Sequence, residues 1–150
     1  MKDAIAAYAH YIAIFSTVVL LGSEAVIYRR QLSATFVRTL RRIDLYYLYA
    51  AIALILTGVG RVFASPKGWE FYRDNPVFWT KMGLFVTLGV LSIWPTMHYL
   101  SWNKSAAADG SVTVEARTFG RIRAILIAEM IVLFAIPLFA SLMSRGIGLR

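Results

Sequence analysis

Four apolar runs, at about residues 4–28, 43–63, 77–101 and 122–144, alternate with shorter stretches in which the charged residues collect. Each run is roughly 21–25 residues, or ~31–38 Å of helix, which suits a ~30 Å hydrocarbon core crossed with some tilt. The pattern predicts an all-α integral membrane protein, a single bundle of four transmembrane helices occupying residues 1–150. The opening MKDAIAAYAH does not resemble a cleaved signal, because its apolar run continues to spanning length and ends at Arg29 and Arg30.

The connections orient these spans. The first holds Arg29, Arg30, Arg38, Arg41 and Arg42; the third holds Lys104, Arg117, Arg121 and Arg123. Four alternating crossings put both on one side. The other side has Lys2, Lys67, Arg73, Arg145 and Arg150, with Arg61 and Lys81 at span ends. Positive-inside bias then places the first and third connections in the cytoplasm and both termini outside. Ser33 is positioned to cap a helix that begins on the membrane surface and runs on into the second span. The outer loop from Ala64 to Phe78, ASPKGWEFYRDNPVF, has the aromatic residues of an interfacial belt: Trp69, Phe71, Tyr72 and Phe78, with Trp79 beside them. It reads as a half-helix resting on the outer surface or as a lid over a site beneath it. The small polar connection Ser105 to Ser111, SAAADGS, reads as the flexible stretch.

Composition narrows the chemistry. The chain is 59% hydrophobic, a load that several membrane spans explain and a soluble domain does not. With no cysteine there is no disulfide, thiolate metal site, iron–sulfur cluster or cysteine nucleophile. The net charge of +8 sits in short membrane-proximal connections, as topology determinants do, which argues against nucleic acid. No phosphate-binding glycine loop, paired-histidine zinc motif or serine–histidine–acid set appears.

Ionisable groups within the spans carry the functional signal, because such groups face the bundle interior or a water-filled cavity. His10, Thr17 and Glu24 recur every seven residues and share one stripe of the first helix with Ile14 and Leu21. The second helix has Asp44 at its inner end and Arg61 at its outer end. Between them Ala50, Ala53, Thr57 and Gly60 read as a small-residue face that lets a helix or flat ligand approach the backbone. The third has Lys81 near its outer end, on a face with Leu84, Leu88, Ser92 and Pro95, and His98 near its inner end. The fourth has Glu129 beyond Arg121 and Arg123, and Pro137 as a candidate kink.

Two polar layers result. The inner one contains Glu24, Asp44, Glu129 and the cytoplasmic arginines. It reads as structural ion pairs, with Glu129 either paired to a basic group or protonated, or as a proton relay through Glu24 and Glu129. The outer one contains His10, Arg61 and Lys81: one nitrogen ligand and two cations without an acid. That set suits haem b, with the His10 imidazole on iron and Arg61 and Lys81 holding propionates above Thr57. His10 and His98 lie near opposite faces and cannot share one haem, so a second axial ligand falls to Met82, Met143, water, nothing or another subunit. The plain alternatives are a hydrogen-bonded core histidine, a snorkelling Lys81 and an interfacial His98.

The segments AHYIAIF, RRIDLYYLYA, LTGVGRVF, KGWEFYRDNPVFWTK and LSIWPTMHYLSW together resemble a family of bacterial four-helix predicted membrane proteins of unknown function, over essentially the whole chain. The chain is also similar, more weakly, to the HemJ-type protoporphyrinogen oxidases, small four-helix membrane proteins linked to haem b. There the resemblance rests on His10, Ala13 and Ser16 in the first helix, on Lys81 opening the third, and on Arg61. The tryptophan and paired small residues that follow the histidine in those proteins are absent here, and the third-helix histidine is differently spaced. This second resemblance implies a shared scaffold and haem binding, and does not carry over the reaction.

The expectation is therefore a multi-pass protein of the bacterial inner membrane that binds haem in the outer half of its bundle, with a membrane oxidoreductase as the candidate activity. The alternatives are a structural or accessory subunit of a membrane complex and a small ion or proton pathway. The expected partners are the lipid bilayer and a homo-oligomer or other membrane subunits.

Overall fold

The computed structural model describes residues 2–65 and 68–145. Lys67 and Arg150, counted above among the basic residues of the outer side, lie outside the described residues, as does the side chain of Lys2.

Four long helices dominate: α1 (Lys2–Ile27), α2 (Ala34–Ala64), α4 (Pro76–Asp109) and α5 (Ala116–Ser144). A short helix, α3 (Gly68–Arg73), lies between α2 and α4. All four long helices are long and apolar enough to cross a membrane. The chain is a four-helix integral membrane protein, and its surface has the character such a protein needs. Phe63, Val26, Phe15 and Val86 are each more than three-fifths exposed, the first at 75%, and lipid covers such residues favourably.

The interior follows the stripe on α1. Ala13, Thr17, Leu21, Glu24 and Tyr28 are buried while Phe15, Val19 and Val26 face outward, so the three- and four-residue spacing selects the bundle side. α1 packs most extensively on α2, and α4 on α5; α2 and α4 touch less. The main core joins Leu21, Leu40, Tyr47, Leu88, Tyr99, Ile122, Leu126 and Leu133. At one end Tyr28 stacks on Phe119 and Trp102 and tilts against Tyr99. At the other a satellite cluster packs Val62, Phe78 and Met143 with Phe71, Tyr72 and Met82.

The two basic connections meet. β1 (Gln31–Ser33) and β2 (Ser111–Thr113) pair antiparallel, with Leu32 opposite Val112. Bonds from Val114 N–H to the Arg30 carbonyl (2.8 Å) and from Ala34 N–H to the Gly110 carbonyl (2.9 Å) extend the ribbon. Its side chains Leu32 and Val114 are fully buried. Both connections thus occupy one end of the bundle, here termed the basic end. The open ends of α1 and α5 lie at the other.

Ser33 caps α2 as the sequence indicates, its hydroxyl accepting from Phe36 N–H at 3.4 Å. The SAAADGS stretch differs from expectation. It is helical through Asp109, because Ala106 to Ala108 are strong helix formers. Gly110 then ends the helix at φ 75°, its N–H reaching the Ala106 carbonyl at 3.0 Å, and Ser111 enters the ribbon. Pro137 also falls inside a continuous α5.

Among its described residues the outer loop holds the six-residue α3. Arg73 pairs with Asp74 at 2.8 Å and holds its carboxyl below the usual carboxylate range. Trp79 Nε1 donates to the Arg73 carbonyl at 2.8 Å, and Asn75 caps α4 by accepting from Val77 N–H at 2.9 Å.

Candidate functional site

His10 projects from α1 against α2 at its closest approach. A Cβ on Gly58 would lie 3.3 Å from His10 Cε1 and 3.8 Å from Nδ1, so glycine is what admits the ring. The expected small-residue face is displaced accordingly. Ala53 and Gly60 are exposed, with nothing within 4 Å of a Cβ on Gly60; the contact runs through Leu54, Thr57 and Gly58 instead. A rotation of about 100° per residue separates the two faces.

Thr57 orients the imidazole. Its hydroxyl oxygen lies 2.7 Å from the Ala53 carbonyl, 3.2 Å from the Leu54 carbonyl and 3.0 Å from His10 Nδ1. With its one hydrogen on a carbonyl, the oxygen accepts from Nδ1 and Nε2 presents its lone pair, the arrangement found in metal-ligating histidines held by an outer hydrogen bond.

The two cations converge on the same place. His10, Gly58, Arg61, Ser65, Tyr72, Lys81 and Met143 are among the residues lining a hollow of about 270 Å³. The Arg61 guanidinium lies 5.8 Å from the Tyr11 ring centroid, and Lys81 Nζ lies 5.3 Å from that of Phe78. Among the described residues the sole ion pair is Arg73–Asp74, so neither cation is neutralised by a carboxylate there. Two like charges beside a histidine, with no carboxylate within ion-pair distance among the described residues, make a pocket that favours an anion.

Below this hollow an apolar groove of about 440 Å³ opens between α2 and α4. His10 and Lys81 line both the hollow and the groove, whose walls include Leu54, Gly58, Val59, Phe85, Val86, Gly89 and Leu133. Met82 lines this groove and Met143 the hollow above, so both proposed second ligands border the histidine site, although both also pack into the satellite cluster. A second groove of about 490 Å³ continues toward the basic end and shares Leu54, Ile55, Phe85, Gly89 and Leu133 with the first.

The inner layer departs from the ion-pair expectation. Glu24, Asp44 and Glu129 are all buried, and among the described residues none has a cation within ion-pair distance. Hydroxyl groups replace cations: Thr96 donates to Asp44 Oδ1 at 2.7 Å, and Ser92 hydrogen-bonds to Glu129. The arginines of the basic end are exposed to water, which solvates them better than the core would. His98 stands apart from His10. Its Nδ1 donates to the Trp94 carbonyl one turn back at 2.9 Å, and its ring sits between Trp94 and Trp102.

Two features escaped sequence reasoning. Gly58 lay unmarked beside Thr57, and the pattern of small residues pointed to Gly60. The tyrosines Tyr47 and Tyr99, buried within the acid layer, were hidden among many aromatic residues of the spans.

Comparison with known proteins places the chain in a family. Residues 2–148 match the family model described as "Predicted membrane protein (DUF2214)". No curated protein and no solved structure matches the chain. The chain belongs to this family of predicted membrane proteins, whose function is unknown.

Proposed function

We propose that this membrane protein binds haem or a related tetrapyrrole in the α2–α4 groove, where His10 would ligate the iron and Arg61 and Lys81 would hold the propionates. The observation that carries the reading is the placement of His10: Thr57 holds Nδ1 at 3.0 Å, and the ring lines an apolar groove that Lys81 also lines. The donor set fits the group. A neutral imidazole suits iron, and two cations without a carboxylate partner suit paired carboxylates at the groove's mouth. Gly58 and Gly89 leave the groove walls low, and its opening between α2 and α4 faces the bilayer, from which an amphiphilic ring can enter.

Bound haem supplies electron transfer or ligand binding, depending on whether a sixth ligand is present. The chain's own residues do the rest. Thr57 orients the imidazole, Gly58 allows its approach, and the apolar walls exclude water. Arg61 and Lys81 hold the carboxylates at the end opposite the basic end. By the positive-inside rule this site lies in the outer half of a bacterial inner membrane, with both termini outside. Met82 and Met143 are the nearby thioether candidates for a sixth ligand.

The test is an absorption spectrum of detergent-purified protein, oxidised and reduced, with haemin added where the protein emerges colourless. The reading expects a saturable Soret band in the wild type and its loss in His10→Ala. A wild type that gains no band with haemin would remove it.

A further inference from the structure

Four helices bring their polar groups together near the basic end. Glu24 from α1, Asp44 from α2 and Glu129 from α5 are 2%, 7% and 1% exposed. α4 faces them with Ser92, Thr96 and Tyr99. These positions are four and three residues apart, so they share one helix face and climb it over about 10 Å. Each hydroxyl serves a different acid: Ser92 bonds to Glu129, Thr96 to Asp44, and the Tyr99 hydroxyl faces Glu24. The acids are therefore stepped along α4, with Glu24 nearest the basic end.

The arrangement lacks what a carboxylate cluster ordinarily has. Glu24 faces Asp44 and Glu129, and Asp44 has Arg41 one turn back on α2, both lining the second groove. Tyr47, from α2, faces all three acids as well as Ser92, and Tyr28 faces Tyr99. Arg41 is exposed and within ion-pair distance of none of them. Burying a lone carboxylate costs several kcal/mol even after relaxation, and three together repel. Ser92 Oγ reaches both the Leu88 carbonyl, at 2.9 Å, and Glu129, and its single hydrogen serves one of them at a time.

A second, independent observation is the state of the two phenols. Tyr99 and Tyr47 are 0% and 3% exposed, and among the described residues neither hydroxyl has a partner in full hydrogen-bond geometry, although Tyr47 lies near Ser92 as Tyr99 lies near Glu24. Tyr99 points at Glu24 without reaching hydrogen-bond geometry. Orphaned hydroxyls in a polar interior are the usual mark of buried water, which makes about three bonds to such groups.

We infer that Glu24, Asp44 and Glu129 form a hydrated proton-binding ladder along α4, loaded from the basic end. The groove at Arg41 and Asp44 is the entrance, and Ser92, Thr96, Tyr47 and Tyr99 hold the intervening water. The ladder does not run through the membrane. Between Ser92 and the His10 hollow the grooves are walled by Leu54, Phe85, Leu88 and Leu133, and Thr17, which also lines the second groove, spends its hydroxyl hydrogen on the Ala13 carbonyl at 2.7 Å. Protons therefore enter and leave at one face. The ladder is independent of any tetrapyrrole at His10.

Infrared difference spectroscopy of the full chain in liposomes, titrated in H2O and D2O, tests this. At neutral pH the wild type is expected to show protonated-carboxyl C=O bands that shift in D2O. Glu129→Gln, Asp44→Asn and Glu24→Gln should each remove one component. Thr96→Val and Tyr99→Phe, which each delete one hydroxyl and leave every acid in place, should shift the Asp44 and Glu24 components without removing them. These two variants keep the test open where an acid substitution fails to fold. Absence of protonated-carboxyl bands at neutral pH, bands indifferent to all five substitutions, or displacement of the bands by sodium but not by choline would overturn it.

Discussion

Thr57 holds the imidazole of His10. Its hydroxyl reaches both the Ala53 carbonyl and Nδ1, and with its hydrogen on the carbonyl the imidazole donates from Nδ1 and keeps Nε2 open. Thr57→Val retains the shape and removes the acceptor; haemin affinity is expected to fall about 10–100-fold, the usual effect of losing an outer hydrogen bond to a ligating histidine. Gly58→Ala would set a methyl 3.3 Å from the ring and push it a few tenths of an ångström from α2. A shifted or broadened Soret band in titrations of this variant checks that, and an unchanged spectrum would place the ring elsewhere. At this scale the sequence was partly legible. His10, Arg61, Lys81 and Thr57 are recognisable as ionisable or hydroxyl groups within apolar runs, and the fold brings them together. Gly58 was not, because helical periodicity alone does not say which of two adjacent faces meets α1.

Among the elements, the ribbon between the two basic connections deserves a mutational test. Its strands are three residues each, too short for period-two alternation to register against the surrounding helices. The signal lay in Leu32 and Val114, isolated apolar residues in otherwise polar connections, both fully buried here. Leu32→Ala is expected to destabilise the bundle by about 2–3 kcal/mol, seen as an earlier thermal or denaturant transition in detergent. Gly110→Ala should destabilise it by about 1 kcal/mol, because φ 75° suits glycine and an added Cβ meets no neighbour that could offset the strain. The long helices were readable for the opposite reason: each needs some twenty apolar residues in a row, a signal few other structures produce. The extension of α4 to Asp109 was missed because alanine, a strong helix former, stood among small polar residues that suggested a loop.

For the whole molecule, the basic end and the histidine site lie at opposite ends of the bundle, and the charge distribution assigns the former to the cytoplasm. The chain contains no cysteine, so one introduced thiol reports its side without background. A membrane-impermeant thiol reagent is expected to label Glu70→Cys in intact cells and Ser111→Cys only after permeabilisation; the reverse pattern would invert the topology and move the His10 site to the cytoplasmic half. The sequence showed four spans and two polar layers but left the inner layer open between ion pairs and protonated acids, because it does not say that basic residues close in sequence to an acid turn toward water when the bundle buries the acid alone. Whether His10 ligates a tetrapyrrole is tested most directly by removing its ring and returning it in solution. His10→Gly protein, titrated with haemin, should lack the wild-type Soret band and regain it on addition of imidazole, which would occupy the vacated space beside Gly58. A His10→Gly spectrum identical to that of the wild type, with or without imidazole, would contradict the assignment.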